Sequence, residues 1–382
     1  MIYKLSEVAK IYSGATPLSK EDDYYENGTI PWITPKDLSN NKKKKISSGN
    51  KFITKKGFDS CSTKLIPKGS VLLTSRAPIG YIAIAENDIC TNQGFKNIVC
   101  DENKLLNDYL FYYLTYNIDS LKAKGNGTTF KELSAQVVKK FEIDIPSVSE
   151  QKHTVRYISL LDDKKDINLD ILMTLERILD NIYIKYFLTN SYNFQECNFG
   201  DIVKIYTGGT PSTKSSEYWE DGNIVWLTPK DITNNSSIFI DRSDKNITLL
   251  GLMNSSAKKI PQGNVIMTSR ATIGDCVINN VDVTTNQGIM SLITKDYNSL
   301  NPIHLYHWIK HNKIKLLSIS NGSTFKEIYK SDLVKLPINI NKQVEEKYVD
   351  EIQPYVLLYK NIHLELNIIN KLRIKLLSKY FS

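Results

Sequence analysis

The sequence predicts an α+β protein: two similar globular domains joined by two long antiparallel coiled-coil helices. Three observations predict it. Blocks from the first half return in the second half at a fixed spacing. Each copy is followed by a long stretch of helical periodicity. Within each copy, short β-branched runs alternate with helical segments.

The repeat sets the domain plan. Trp32-Ile33-Thr34-Pro35-Lys36-Asp37-Leu38 returns as Trp226-Leu227-Thr228-Pro229-Lys230-Asp231-Ile232. Thr74-Ser75-Arg76-Ala77-Pro78-Ile79-Gly80 returns as Thr268-Ser269-Arg270-Ala271-Thr272-Ile273-Gly274, and Thr91-Asn92-Gln93-Gly94 as Thr285-Asn286-Gln287-Gly288. Each pair lies 194 positions apart, and one offset shared by three blocks is no accident of composition. The copies occupy residues 1–147 and 193–338, and the helical stretches residues 148–192 and 339–382.

Inside each copy, Val71-Leu72-Leu73-Thr74 and Val265-Ile266-Met267-Thr268 read as strands after Pro-x-Gly turns. Helices are expected over 105–124 and 300–318. Another is expected to start at each Thr-x-x-Glu box, Thr129–Glu132 and Thr324–Glu327. The runs ending at Pro146 and at Pro337-Ile338 read as strands that a proline terminates, because proline has no N–H for the ladder.

The helical stretches carry apolar residues spaced alternately three and four, the seam of a coiled coil. The first seam is Ile158, Leu161, Leu172, Leu175, Leu179 and Ile182; the second is Ile352, Tyr359, Ile362, Leu366, Ile369 and Leu376. Ser147-Val148-Ser149-Glu150 is a capping box for the first helix. Pro354 is expected to kink the second helix or mark its start. Some 40 residues at 1.5 Å each give a rod of roughly 60 Å. Matched lengths and positions favour pairing of the two helices over two helices packed separately on their own domains.

Composition bounds the class. Hydrophobic residues make 41% and charged residues 24% of 382, as in ordinary globular proteins. The net charge of +8 permits a polyanionic partner without demanding one. Five cysteines without a Cys-x-x-Cys pair argue against a disulfide framework or zinc site and fit a reducing cytoplasm. The N-terminus lacks an apolar signal core, and no apolar run approaches the roughly 18 residues a membrane span needs.

No catalytic residues are found. The chain lacks a Walker-type phosphate loop, a Gly-x-Gly-x-x-Gly turn and the Asn/Asp-Pro-Pro-aromatic segment of adenine methyltransferases. Asp101-Glu102-Asn103-Lys104 resembles a scrap of a nuclease motif, but it has no counterpart in the second copy and reads as a surface turn. His304, His307 and His311 share a helix face, yet their counterparts are Tyr109, Tyr112 and Tyr116. A metal would not be exchanged for three tyrosines in a sister domain, so none is expected, and a packing face is the better account.

Binding remains. Shared residues suit scaffold and phosphate contacts, whereas divergent ones suit base contacts. The shared candidates are Lys36 and Lys230, Ser75 and Ser269, Arg76 and Arg270, Gln93 and Gln287, and Lys131 and Lys326. Each arginine follows a strand in a turn, placed to meet a phosphate or, alternatively, an internal carboxylate. The divergent candidates are Lys42, Lys43, Lys44, Lys45, Lys51, Lys55 and Lys56. The matching stretch of the second copy balances Arg242 and Lys245 against Asp241 and Asp244. Seven lysines fit steeply salt-dependent nucleic-acid binding or a merely solvated loop.

This layout resembles the specificity subunit of Type I restriction–modification enzymes over essentially the whole chain. The carriers are the blocks above with Gly14-Ala15-Thr16-Pro17 and Gly208-Gly209-Thr210-Pro211, each present twice and in order. The resemblance implies that each domain is a target recognition domain gripping one half of a bipartite double-stranded DNA site. It implies that the helix pair acts as a ruler and docks two adenine methyltransferase subunits, which use S-adenosylmethionine. Translocase–nuclease subunits using ATP and Mg would add restriction. The subunit itself would hold no cofactor. A tandem-domain scaffold that reads no DNA and only organises partner enzymes is the alternative; footprinting separates the two.

Overall fold

The computed structural model describes residues 1–41, 43–76, 78–125, 132–322 and 326–382. The chain divides into two compact units, Met1–Leu169 with Leu366–Ser382, and Asp170–Glu365. Both divisions fall inside the long helices, so each unit takes a part of each helix.

The first unit contains strands β1 (Ile2–Lys4), β2 (Ala9–Ser13), β3 (Ile30–Ile33), β4 (Lys45–Ile46), β5 (Lys51–Ile53), β6 (Val71–Thr74), β7 (Ile82–Ala85), β8 (Cys90–Thr91), β9 (Phe95–Cys100) and β10 (Glu142–Asp144). They form a five-stranded sheet β2-β9-β6-β7-β4, a three-stranded sheet β5-β3-β8 and the pair β1-β10. In β6, Val71 and Leu73 enter a core with Ile84, Ile98 and Leu110, while Leu72 enters another with Ile33, Ile66 and Phe95. Both faces of the sheet are covered, which is why this strand reads as an unbroken apolar run.

The second unit repeats the plan with β11 (Gln195–Asn198), β12 (Val203–Thr207), β13 (Ile224–Leu227), β14 (Phe239–Ile240), β15 (Lys245–Ile247), β16 (Val265–Thr268), β17 (Cys276–Asn279), β18 (Val283–Thr285), β19 (Ile289–Thr294) and β20 (Pro337–Ile340). The sheets are β12-β19-β16-β17-β14, β15-β13-β18 and β11-β20, the same order strand for strand. Register repeats too: Val71 pairs with Ile98, and Val265 with Leu292.

The first long helix is Val148–Tyr183, continued by a π-helical turn Ile184–Thr189; the second is Lys342–Phe381. The capping box forms, with Ser147 N–H and hydroxyl both donating to Glu150 Oε2 at 2.9 and 2.6 Å. The helices pack together. In the first unit, Arg373 Nε meets Asp162 Oδ1 at 2.7 Å, and Val155, Ile158, Leu377 and Phe381 share the domain core. In the second, Tyr359 donates to Glu176 at 2.6 Å and Tyr186 to Glu351 at 2.8 Å, so ascending one helix descends the other and the pair is antiparallel.

Local expectations differ in four places. The helix over 105–124 is split into Asn107–Tyr116 and Ile118–Ala123, and that over 300–318 into Pro302–His311 and Lys313–Ser318. At each break an asparagine (Asn117, Asn312) turns its side-chain amide onto the preceding turn. Pro337 opens β20 instead of ending it; a first strand position tolerates a missing N–H. Pro354 neither starts nor ends the second helix, which begins at Lys342 and carries the exposed ring in its interior. Glu327 bridges to Arg270, and helices begin only at Ala135 and Lys330. Residues 129–131 and 324–325 of the boxes lie outside the described residues.

Candidate nucleic-acid interface

The repeated blocks converge within each unit, and their contacts are largely to backbone. In the first unit, Trp32 Nε1 donates to Ala15 O at 3.0 Å, Asn92 N to Ile33 O at 2.9 Å and Ser75 N to Gly94 O at 2.7 Å. In the second, Trp226 Nε1 donates to Gly209 O at 2.9 Å, Asn286 N to Leu227 O at 3.0 Å and Ser269 N to Gly288 O at 2.9 Å. Thr34 with Asp37, and Thr228 with Asp231, cap the short helices Pro35–Asn40 and Pro229–Asn234. A Cβ on Gly14 or Gly208 would overlap the carbonyls of the Thr-Asn-Gln-Gly turn, so both sites require glycine.

This frame presents the shared candidates differently. Lys36 and Lys230 are exposed on the capped helices, Lys230 with Asp244 at 3.2 Å. Gln93 and Gln287 are exposed, each accepting from the hydroxyl of Thr16 or Thr210. Ser75 and Ser269 are buried, which places their hydroxyls beneath the surface. Arg76 is half-buried. Arg270 meets Glu327 at 2.6 Å while its side chain stays half-exposed. The residue after it, Ala271, has φ +59°, a left-handed conformation uncommon for a residue with a Cβ. Lys326 is exposed; Lys131 lies outside the described residues.

The lysine-rich stretch is not uniform. Lys45, Lys51, Lys55 and Lys56 are exposed and Lys43 half-buried, while Lys42 lies outside the described residues. Lys51 stands over the Tyr25 ring at 5.3 Å, and Lys55 and Lys56 pair with Asp59 and Asp23 at 2.7 and 2.6 Å. Lys44 is inside the unit. Its ammonium binds Asp108 at 2.7 Å and Ser159 at 3.1 Å and lies 4.8 Å from the Tyr112 ring centre. A buried ammonium needs such partners, and Asp108 supplies the charge that a phosphate would. In the second unit Arg242 is exposed and Lys245 lies 5.8 Å from the Trp219 ring centre.

The histidine face packs inward. Phe187 stacks on His304 at 3.8 Å, and Tyr183 on His307 and His311 at 5.5 and 5.0 Å. Glu345 holds His304 Nδ1 at 2.6 Å, and burial pushes His307 down to about 4. Among the described residues, no cluster of His, Cys, Asp and Glu has the makings of a metal site. Sequence reading placed Tyr359 on the seam without its polar contacts and missed His363. Tyr359 receives the Ile238 N–H at 3.0 Å, and His363 meets Asp241 at 2.6 Å. Their signal was hidden because both were read only as helix positions.

Of the seam residues, Ile158, Leu172, Leu175, Leu179, Ile182, Ile352, Tyr359, Leu366 and Ile369 are buried. Leu161, Ile362 and Leu376 are half-buried. Near its end the second helix buries Leu377 and Phe381, which pack into the core of the first unit beside Val155 and Ile158.

A duplicated scaffold with fixed backbone contacts and divergent exposed loops defines a tandem recognition protein. The comparisons specify which. The model of the Type I restriction modification DNA specificity domain matches residues 1–177 and 192–372. The chain belongs to this family, and it is the non-catalytic DNA specificity subunit of a Type I restriction–modification system. It is 29% identical over 402 aligned residues to the MjaIX specificity subunit of Methanocaldococcus jannaschii, covering 99% of this chain and 91% of the relative. It is 26% identical over 356 to the EcoR124I/EcoR124II specificity subunit of Escherichia coli, covering 89% and 83%. The solved S subunit from M. genitalium shares the fold at TM-score 0.61 and 14% identity, covering 100% of this chain and 96% of that one. No helix among the described residues is long and apolar enough to cross a membrane.

Proposed function

We propose that each unit reads one half of a bipartite double-stranded DNA site, working in the cytoplasm. The observation carrying this reading is the repeated scaffold with divergent tips: matching topology, but Lys55 and Lys56 where the second unit has Leu249 and Leu250. Similar frames with different side chains suit different half-site sequences. Lys36, Lys43, Lys45, Lys51, Lys55, Lys56, Arg76 and Gln93 form the candidate surface of the first unit. Lys230, Arg242, Lys245, Arg270 and Gln287 form that of the second.

The paired helices set the half-site spacing and dock two adenine methyltransferase subunits, which bring S-adenosylmethionine. Translocase–nuclease subunits bring ATP and Mg. The test is footprinting of the assembled complex on a duplex carrying its methylation motif. Two protected half-sites are expected, and one heptad removed from both helices should change the gap between them. An unbroken or absent footprint would overturn bipartite reading, and a gap that survives the deletion would overturn the ruler.

A further inference from the structure

Two short helices occupy equivalent places, Lys55–Asp59 in the first unit and Leu249–Met253 in the second. Their mounts are alike. Thr54 and Thr248 cap them, accepting from Gly57 N and Gly251 N at 3.1 Å each. The same threonine hydroxyls donate to Asp23 O at 2.8 Å and Glu217 O at 2.9 Å. Gly57 and Gly251 lie so close to Tyr24 O and Tyr218 O that a Cβ would meet them at 2.5 and 2.7 Å. The mounts fix each helix, Phe58 and Leu252 both stay apolar and half-buried, and the outward side chains change chemistry. The first presents Lys55, Lys56 and Asp59. The second presents Leu249, Leu250 and Met253, exposed by 62%, 45% and 75%.

Three large apolar side chains on one short exposed helix are costly to leave in water, and a cluster of this kind marks a contact site. Its setting selects the occupant. The helix follows β15, whose Lys245 is a candidate phosphate contact, and Arg242 is exposed just before. One protein surface would not match lysines on one mount and leucines on its twin. Duplex DNA offers anionic phosphates along its length together with one apolar group in its major groove, the thymine methyl. From this match we infer that Leu249, Leu250 and Met253 contact thymine methyl groups in the half-site read by the second unit. The inference rests on the DNA-reading function proposed above and adds an apolar mode of base recognition to it.

The test uses the full chain with its methyltransferase partners and a duplex carrying the methylation motif. A second duplex has uracil for every thymine in the half-site footprinted by the second unit, removing only the methyl groups. The wild type should bind the uracil duplex more weakly, by about fourfold per contacted methyl. The triple variant Leu249→Ser, Leu250→Ser, Met253→Ser should bind the normal duplex with a similar loss, an unchanged salt slope and no further response to uracil. An unchanged melting temperature shows that the variant is folded. Equal binding of both duplexes by the wild type would overturn the inference. So would a variant with unimpaired DNA binding, including one that loses only a protein partner. A wild type that binds no DNA specifically would instead overturn the DNA-reading function itself.

Discussion

Asp162 and Arg373, one from each long helix, meet at 2.7 Å inside the first unit, and the other oxygen of the same carboxylate accepts from Tyr112 at 2.7 Å. One buried carboxylate thus ties both helices to the recognition domain.

Removing one member should be expensive. Arg373→Met leaves Asp162 buried without its cation, and the expected loss is about 3–5 kcal/mol in thermal or denaturant unfolding. Adding Asp162→Val should restore much of it, since a buried ion pair replaced by apolar groups is often neutral. A single variant as stable as the wild type would refute the tie.

Lys44 should behave unlike its neighbours. Lys44→Ser is expected to lower the melting temperature, because it removes a side chain that is only 6% exposed and empties its place beside the Tyr112 ring. Replacing Lys45, Lys51, Lys55 and Lys56 by serine should leave stability nearly unchanged. Their loss should flatten the salt dependence of DNA binding by up to about 0.9 in log–log slope per phosphate contact. Titrations at several salt concentrations check this.

His307 predicts an acid limb of stability. Burial holds its imidazole at about 4 in the fold, against 6.5 unperturbed. Between those values the unfolded chain binds a proton that the native state refuses, so stability falls as pH drops from about 6.5 to 4. The shift corresponds to about 3 kcal/mol. His307→Gln should reduce the slope of unfolding free energy against pH in that window.

Gly208→Ala should destabilise the second unit by about 1–3 kcal/mol, because the new methyl collides with the Thr285 and Asn286 carbonyls. Near-ultraviolet circular dichroism of Trp226, whose indole donates to the adjoining Gly209 carbonyl, reports the displacement.

Much of this was legible in the chain. The 194-residue offset anticipated the matching strand registers, because repeated sequence imposes repeated pairing. The Ser147–Glu150 box marked a helix start because capping is local. What stayed hidden is long-range. Nothing near Lys44 distinguishes it from Lys43 or Lys45; Asp108 and Ser159 lie far along the chain. Arg270 finds its carboxylate at Glu327 in the same way, within a stretch whose capping pattern pointed to a helix. The shift from Leu376 to Leu377 arises from packing on the domain core, which a heptad count does not contain.

The first unit takes Leu366–Ser382 from beyond the whole of the second unit in sequence. During translation its globular part is made before the second unit, yet Arg373, Leu377 and Phe381 follow only after Asp170–Glu365. A chain cut short before them has a first unit whose core lacks Leu377 and Phe381 and whose Asp162 keeps Tyr112 but loses its cation. Loss of that segment therefore opens the first unit, although the whole of Asp170–Glu365 separates the two in sequence.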